Sequence, residues 1–454
     1  MLGINRRSIK IIIMVFVIVG MILCTGLAVY RLFADKEEAP HQWTENNIYG
    51  KWKNVRLVES SEHSYGWLPL GNEIGRTLTI TETQVIDSKD IRQAEEEQQT
   101  TYDMEIASLE MTVPEDWVEI QLGYMIILDY AGVSGERIYQ YDMEGSCEQY
   151  QWFNKLTAYS YDESDPDRIM VYIHDGMYLL ERYARQRKGS TPYGDWYVAR
   201  LTSRGEGEAY GIDFFHKYGK CYEITEKWVK EGKKEEGTGY TWEHGRVELE
   251  QFEADNHIVE GLGLEDEEIE IWYGSGTDGS RKVIIPIDEE RIIMEIDRQW
   301  FVLERAPEYQ GLSGFSVDEL WDTDWKYVQL LSIGDVDREK EGWNGQEKEI
   351  PVSYYGGIAY FYTDTTYYLD GKLPEWEMKD YRAGEFKQEQ DTPEYFDLVF
   401  EDTDEIHVVK GAINGKKVTY VMLDSDTMLR YSNGLWYVVE KQTKKLNWEN
   451  QRHE

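Results

Sequence analysis

Carboxylates are the most abundant side chains able to do chemistry in this chain of 454 residues, which carries 87 Asp and Glu against 48 Lys and Arg. Calcium takes about six to eight oxygen ligands, so acidic loops are candidate sites for it. Neither of two clusters here has the glycine and distal glutamate of a calcium-binding loop, so we interpret both as solvated charge and predict no metal site. The clusters are Asp162, Glu163, Asp165 and Asp167 in "YDESDPD", and Glu401, Asp402, Asp404 and Glu405 in "EDTDE".

Paired carboxylates also carry out glycoside hydrolysis, in which two groups about 5 to 10 Å apart face each other across a cleft. With 87 acidic residues, the closeness of any two is uninformative. A cell-envelope glycan hydrolase that uses carboxylates therefore stays open as an alternative function, although the sequence singles out no catalytic residue for it.

The other reactive side chains form no catalytic pattern. None of the eight histidines belongs to a His-Glu-x-x-His motif or pairs with a third ligand nearby. The segment "GLSGF" around Ser313 lacks a glycine that a nucleophile elbow requires, and "YGSGTDGS" around Ser275 is typical of a turn. We therefore predict no catalytic residue and no cofactor.

The three cysteines leave their redox state open. Cys24 lies in the apolar N-terminal segment, whereas Cys147 and Cys221 lie in the remainder of the chain. A disulfide between these two suits an oxidising compartment, but two unpaired buried thiols fit the sequence equally well.

One apolar segment predicts a membrane anchor. Ile11–Tyr30 carries no charge, and a helix of that length spans about 30 Å, the thickness of a bilayer core. Basic residues at positions 6, 7 and 10 precede it. The positive-inside tendency therefore keeps the N-terminus cytoplasmic and places the bulk of the chain outside the cell membrane.

A cleaved signal peptide is the alternative for this segment, with a small-x-small site at Gly26–Ala28. We favour the single-pass anchor, residues 1–34, because the apolar run exceeds the ~7 to 15 residues of a signal-peptide core.

The charge of the exported part argues against nucleic acid as a partner. Four of the 48 basic residues and no acidic residue precede position 34, so 44 basic residues face 87 acidic ones beyond it. Phosphate contacts need clustered Lys and Arg, which this composition does not favour.

Three landmarks recur in one order along the exported part: an aromatic-led strand, a polar turn and a hairpin. Trp52 to Ile80 and Trp196 to Ile224 are both 28 residues apart, which indicates triplication. The strands are "YGKWKNVRLVE" from Tyr49, "YGDWYVARLTS" from Tyr193 and "DTDWKYVQLLS" from Asp322; the turns start at Ile80, Ile224 and Tyr362; the hairpins are "YIHDGMYLLER" from Tyr172, "EIDRQWFVLER" from Glu295 and "YSNGLWYVVEK" from Tyr431.

These landmarks predict three domains, at 44–186, 190–308 and 317–446. Polar joints at 185–192 and 306–316 connect them, and their shortness predicts domains arranged like beads with limited freedom.

Each repeat has the pattern of antiparallel strands. In "TLTITET", Leu78 and Ile80 alternate with threonines, which is the period of a half-buried strand. Asp175-Gly176 and Asn433-Gly434 supply the residues of tight hairpin turns. The aromatic share of 14% also suits β-structure. We predict an all-β protein of three tandem antiparallel β-barrels behind one N-terminal transmembrane helix.

The repeats resemble the lipocalin, or calycin, family. The resemblance lies in Gly50-Lys51-Trp52 and Gly194-Asp195-Trp196, together with Arg182 and Arg305 late in the last strand. In that family the tryptophan plugs the closed end of a barrel and the basic side chain crosses its ring. Similar lipocalin-like units occur in exported proteins of Gram-positive bacteria.

The third repeat departs from the family pattern, because Thr323 replaces the glycine and Lys441 replaces the arginine. A barrel without a ligand cavity and a sandwich both stay open. The resemblance implies a structural role for each Trp and basic pair, since a cation over an indole ring contributes about 0.5 to 2 kcal/mol. Tyr178, Trp300 and Trp436 of the hairpins are predicted to pack their units.

The function that fits these features is a non-enzymatic, membrane-anchored binding or interaction protein outside the cytoplasm. Its expected partner is a small molecule, a glycan or a protein at the cell surface. A structural or signalling accessory of a membrane partner is a further alternative.

Overall fold

The computed structural model divides the chain into two units, Met1–Trp43 and Thr44–Glu454. It describes residues 43–44, 47–60, 74–87, 100–112, 138–146, 155–162, 165–173, 176–204, 213–234, 236–258, 260–309, 311, 324–332, 358–360, 377–413, 416–432 and 434–441. The predicted anchor, Cys24, Cys147, Glu163 and Ser313 lie outside these residues. Among the residues described, no helix has the length and apolar character to cross a membrane.

The fold is mostly β, with 60% strand and 11% helix, which confirms the predicted class. The first repeat forms a closed antiparallel barrel in which each strand pairs with the next and the last pairs with the first. Its strands are β1 (Gly50–Ser60), β2 (Thr77–Ile80), β3 (Gln84–Asp87), β4 (Thr100–Thr112), β5 (Ile138–Ser146), β6 (Lys155–Asp162), β7 (Asp165–Ile173) and β8 (Gly176–Arg182).

The second repeat forms a closed barrel with the same strand order. A 3₁₀ helix, Asp213–Lys217, follows its first strand, and helix α1, Leu249–Asp255, follows its fourth. The strands are β9 (Gly194–Arg204), β10 (Cys221–Ile224), β11 (Trp228–Glu231), β12 (Thr238–Glu248), β13 (Glu268–Gly276), β14 (Arg281–Pro286), β15 (Arg291–Ile296) and β16 (Gln299–Arg305).

The described strands of the third repeat form a seven-stranded sheet, in the order β18-β17-β23-β22-β21-β20-β19. Helices α2 (Ala383–Glu389) and α3 (Glu394–Val399) follow β19, at the place where α1 follows β12. The strands are β17 (Asp324–Ser332), β18 (Ile358–Tyr360), β19 (Glu377–Arg382), β20 (Glu405–Ile413), β21 (Lys416–Met422), β22 (Thr427–Ser432) and β23 (Leu435–Lys441).

The first strand of every repeat carries two β-bulges at the same places. The third and the sixth residue after the tryptophan of each first strand have no partner on the last strand of the same repeat. These residues are Val55 and Val58 in β1, Ala199 and Thr202 in β9, and Val328 and Leu331 in β17. Bulges bend a strand and re-aim its side chains. Their repetition supports triplication beyond the sequence landmarks.

The hairpin turns differ from one another in chemistry. Gly434 has φ 83°, as the predicted tight turn requires. The second repeat uses Asp297 and Arg298 instead, with φ 51° and 62°. The main-chain N–H of Arg298 donates to Glu295 Oε1 at 3.1 Å, which helps to hold this unfavourable conformation.

The interior of the second barrel is packed. Inward-facing side chains of its strands, among them Val198, Tyr222, Ile284 and Phe301, belong to one hydrophobic cluster and are almost completely buried. On the outer face, α1 covers β13 to β16, and Phe252 lies edge-on to Trp300 at 5.6 Å.

Candidate functional site at the junction of the repeats

The tryptophan and arginine pairs that carry the resemblance are in contact. The guanidinium of Arg182 lies 4.2 Å from the ring centroid of Trp52, and Arg305 lies 4.3 Å from that of Trp196. Both tryptophans are fully buried. Each indole N–H donates to a main-chain carbonyl four residues earlier, at 2.8 and 2.9 Å. Each arginine therefore packs on the buried tryptophan of its own barrel.

Glycine is required beside each arginine. Gly50 and Gly194 have φ of 143° and 145°, and a Cβ at either would collide with the guanidinium of Arg182 or Arg305. In the third repeat Lys441 pairs with Trp325 across β17 and β23, and the residue two before Trp325 is threonine. The third repeat therefore has neither the glycine nor the guanidinium of the first two repeats.

The aromatic residues of the hairpins are buried, as predicted. Tyr178 is fully buried, and Trp300 and Trp436 nearly so. The indole N–H of Trp436 donates to the carbonyl of Asp391 at 3.0 Å. These residues are part of the packing.

Three members of the two acidic clusters are paired with basic side chains. Asp165 accepts from Arg168 at 2.5 Å, Asp167 accepts from Arg182 at 3.1 Å, and Asp402 pairs with Lys387. Within the described part of the chain, no group of three or more His, Cys, Asp or Glu side chains is placed to hold a metal ion.

Four other reactive side chains that the structure describes lie on different strands. Cys221 is a free, buried thiol. His407 Nδ1 lies 2.5 Å from Asp380, and His244 stacks on Trp272 at 4.8 Å. Ser275 lies on β13 opposite Arg281, next to a hairpin turn, as its sequence indicates.

The three repeats meet along their bulged first strands. Arg56 of the first repeat donates to the carbonyl of Val328 in the third at 3.0 Å. Gln329 of the third donates to the carbonyl of Ala199 in the second at 2.5 Å. Arg200 of the second donates to the Glu181 carboxylate of the first at 2.6 Å. The repeats therefore contact one another closely, unlike the bead-like arrangement expected from the joints.

These three donors are equivalent residues. Arg56, Arg200 and Gln329 each stand four residues after the tryptophan of their repeat, next to the first bulge. Each donates a hydrogen bond to a different repeat: the first repeat donates to the third, the third to the second, and the second to the first. We call these residues the junction ring.

A cavity of about 430 Å³ lies at the junction ring. Its volume is within the usual range for small-molecule sites, ~300 to 1,000 Å³. All three repeats contribute to its lining: Val55, Arg56, Ile74, Arg168, Leu179 and Glu181 from the first; Tyr197, Ala199, Arg200, Phe215, Tyr218 and Glu304 from the second; Val328, Gln329, Leu330, Tyr395, Asp424, Thr427, Val438 and Glu440 from the third; and Pro307 from the joint.

Arg200 forms ion pairs with two carboxylates of the cavity lining. It binds Glu181 of the first repeat and Glu304 of its own. Burial alone would lower the pKa of Arg200, but the two carboxylates outweigh burial and raise it. Burial and the neighbouring Glu304 raise the pKa of Tyr197, whose hydroxyl donates to Glu304 at 3.2 Å.

Tyr395 of α3 closes the third repeat's side of the cavity. It is 2% exposed and lies edge-on to Tyr197, with ring centroids 4.8 Å apart. Its hydroxyl makes no hydrogen bond to any residue that the structure describes. Burial raises its pKa, as do the neighbouring Cys221 thiol and the Glu304 and Asp424 carboxylates. The cavity lining therefore includes a phenol that stays neutral at physiological pH.

A second buried polar network joins the first two barrels. Lys53 is 5% exposed and donates to the carbonyls of Glu260 and Gly261, each at 2.8 Å. Arg204 of the second barrel donates to the carbonyl of Ile74 in the first repeat at 2.9 Å. Within the second repeat, Arg204 also pairs with the Glu260 carboxylate at 3.1 Å. Desolvation lowers the pKa of Lys53 to about 7, although Glu260 and Glu253 oppose this effect.

Sequence reasoning did not find the junction ring. The sequence feature that corresponds to the junction ring is a residue pair three and four positions after each repeated tryptophan. These pairs are Val55-Arg56, Ala199-Arg200 and Val328-Gln329. The meaning of these pairs depends on how the repeats pack, which their alignment does not contain.

The chain matches no family model and no curated protein. Among solved structures, it is similar to the DNA polymerase sliding clamp from Pseudomonas aeruginosa with ligand. That likeness covers 89% of this chain and 94% of the clamp chain, with 7% identity and a TM-score of 0.13. So low a score supports no argument about fold or function.

Proposed function

We propose that this chain is a non-enzymatic binding protein, held outside the cytoplasm by the apolar segment Ile11–Tyr30, whose three lipocalin-like repeats act as one body. The observation that carries the proposal is the junction cavity, to which every repeat contributes equivalent residues. Its ligand is a small molecule at the cell surface.

The packed second barrel supports this location for the ligand. A lipocalin-like barrel that binds a ligand inside needs an open interior, whereas Val198, Tyr222 and Phe301 occupy this one. The junction cavity combines apolar walls with a few convergent polar groups, as small-molecule sites do.

The carboxylates of the cavity favour binding over glycan hydrolysis. A glycosidase needs one carboxyl group that donates a proton to the leaving group. Glu181 and Glu304, two of the four carboxylates in the lining, both accept hydrogen bonds from the same Arg200 guanidinium, so neither of these two is placed to donate a proton.

The proposal includes closure of the third repeat as a barrel. Strands β17 to β23 correspond in order to the strands of the second barrel, with no counterpart of β11 among the described residues. The landmark "YTDTTY" from Tyr362 occupies the place in the sequence where β11 follows β10. We infer that the third repeat has the same barrel architecture as the first two.

Mass spectrometry of small molecules that co-purify with the exported part tests the proposed function. Ala199 is 1% exposed and lines the cavity, so Ala199→Leu should reduce its volume and the amount of bound molecule. Ala254→Leu is the matched control, because Ala254 lies exposed on α1. Equal recovery from both variants, or recovery of none from the wild type, would contradict the proposal.

A further inference from the structure

The amine of Lys53 lies within the contact between the first and second repeats. This side chain on β1 is 5% exposed and donates to the main-chain carbonyls of Glu260 and Gly261 in the second repeat, each at 2.8 Å. Thr77 of the first repeat donates to the same Glu260 carbonyl, also at 2.8 Å. Two donors of the first repeat therefore occupy both lone pairs of that oxygen.

The hydrogen bonds of Lys53 match those of a neutral amine. A neutral amine has two N–H groups, and each of the two carbonyls accepts one of them. An ammonium has three donors, and no third acceptor lies within hydrogen-bond distance of Lys53 Nζ in the described part of the chain. Protonation therefore adds a buried charge and a donor without an acceptor, and both cost free energy.

Two carboxylates of the second repeat attract the Lys53 ammonium, but both are bound to other groups. Glu260 pairs with Arg204 at 3.1 Å. Glu253 of α1 accepts from the main-chain N–H of Leu262 at 2.7 Å, and burial raises the pKa of this carboxyl. Their attraction offsets only part of the desolvation, so the pKa of Lys53 falls to about 7.

The other titratable groups beside Lys53 belong to the first repeat. Lys51 lies two residues earlier on β1, and Glu181 pairs with Lys53 across β1 and β8. The Glu181 carboxylate is bound to Arg200 at 2.6 Å. Burial raises the pKa of Tyr183, so this phenol stays neutral. None of these three groups supplies a counter-charge to Lys53.

We propose that Lys53 is a pH-sensitive switch between the first two repeats, in which protonation of its amine loosens their contact and deprotonation tightens it. This proposal concerns the contact between the repeats and does not depend on the ligand of the junction cavity.

The direction of the effect follows from the state of Lys53 on each side of the equilibrium. When the contact opens, water solvates the amine and its pKa returns to about 10.4. The closed contact therefore gains stability as pH rises from about 7 toward that value, by up to about tenfold per pH unit. Below pH 7 both states hold the proton, and the contact is weakest there.

Hydrogen exchange of the full chain, corrected for the intrinsic pH dependence of exchange, tests the switch. The reporters are the amides of Ala184 and Glu265. Ala184 donates to Gly263 and Glu265 donates to Ala184, each at 2.9 Å, so both bonds join the two repeats. In the wild type we expect the protection of both amides to rise at least about tenfold between pH 7 and 9.

Two variants should remove this pH dependence. Lys53→Met deletes the amine, whereas Lys53→Gln keeps two N–H donors and cannot take up a proton near neutral pH. Lys51→Met is the matched control, because Lys51 is exposed on the same strand. It should keep most of the dependence of the wild type.

Amides of β15 and β16 inside the second barrel report global unfolding. If the two reporter amides are as protected as these at pH 6, the contact does not open separately and the proposal is wrong. The same rise in protection with pH in the wild type, Lys53→Met and Lys53→Gln would also overturn it.

Discussion

Arg305 lies with its guanidinium 4.3 Å above the indole ring of Trp196, in the space that a side chain on residue 194, a glycine, would occupy. The guanidinium also donates to the carbonyls of Tyr193 and Glu289, at 3.0 and 2.6 Å. Arg182 and Trp52 repeat the arrangement at Gly50. One contact thus joins the first and last strands of a barrel.

Replacing Gly194 with alanine should lower the free energy of unfolding by about 3 kcal/mol, because the added Cβ collides with Arg305 and the backbone has positive φ. Gly279→Ala is the control. Gly279 has φ 85° with open space around its Cβ position, so only the backbone cost of about 1 kcal/mol applies. Denaturant unfolding of the two variants measures the difference, and equal losses would rule out the collision.

The third repeat suggests a compensating change. It combines threonine and lysine at the places of Gly194 and Arg305. A Gly194→Ala and Arg305→Lys double variant should therefore lose about 1 kcal/mol less than the sum of the two single losses. A double-mutant cycle measures this coupling, and simple additivity would contradict it.

Arg200→Met should lower the free energy of unfolding by about 3 kcal/mol, because it leaves two partly buried carboxylates, Glu181 and Glu304, without their shared cation. Arg185→Met is the control, since its ion pair with Glu265 is on the surface and the Arg185 side chain is 81% exposed. We expect a loss below about 0.5 kcal/mol there. Similar losses in both variants would show that the junction adds little.

Lys53 should make stability depend on pH. Its pKa is about 7 in the folded chain, against about 10.4 unfolded. The unfolded state therefore binds more protons between these values, and the folded state gains stability as pH rises through that window. The gain approaches about 1.4 kcal/mol per pH unit. The difference in unfolding free energy between wild type and Lys53→Met, measured from pH 7 to 9.5, should grow in favour of the wild type.

Lys51→Met is the control for this pH dependence, because Lys51 is exposed on the same strand. The change with pH should be larger for Lys53→Met than for Lys51→Met. A difference between Lys53→Met and the wild type that stays constant with pH would mean that the Lys53 ammonium keeps an ordinary pKa.

Cys221 should resist alkylation in the folded chain. Burial raises the pKa of this thiol, and the Glu394 and Asp397 carboxylates raise it further, so little thiolate forms at pH 8. Iodoacetamide labelling followed by peptide mass spectrometry should find Cys221 unmodified under native conditions and fully modified in denaturant. Native labelling at the rate of a free thiol would contradict its burial.

The sequence predicted the parts of the fold that repeat locally. The position of Trp52 before alternating residues, the tight turn at Gly434 and the pairing of Trp196 with Arg305 are all encoded within one repeat. The sequence predicted the hairpin from Glu295 but not that both Asp297 and Arg298 take positive φ, because arginine rarely adopts that conformation and a hydrogen bond to the Glu295 carboxylate supports it.

Contacts between the repeats could not be predicted in the same way. Lys53 and Arg200 have the sequence pattern of solvated strand residues, and the packing of neighbouring barrels buries Lys53 and covers most of Arg200. The short helices α2 and α3 were also not predicted in detail, since each is too brief to show a helical period. Tyr395 of α3 reaches the cavity through this packing.

The central claim, that the three repeats form one body around the junction, can be tested by cutting the chain between them. A protease site placed in the joint 306–316 separates the third repeat covalently from the first two. After cleavage at micromolar concentration, gel filtration should show the fragments eluting together, and Arg56→Met with Gln329→Leu should release the third repeat. Separation of the fragments in the unmodified junction would contradict the claim.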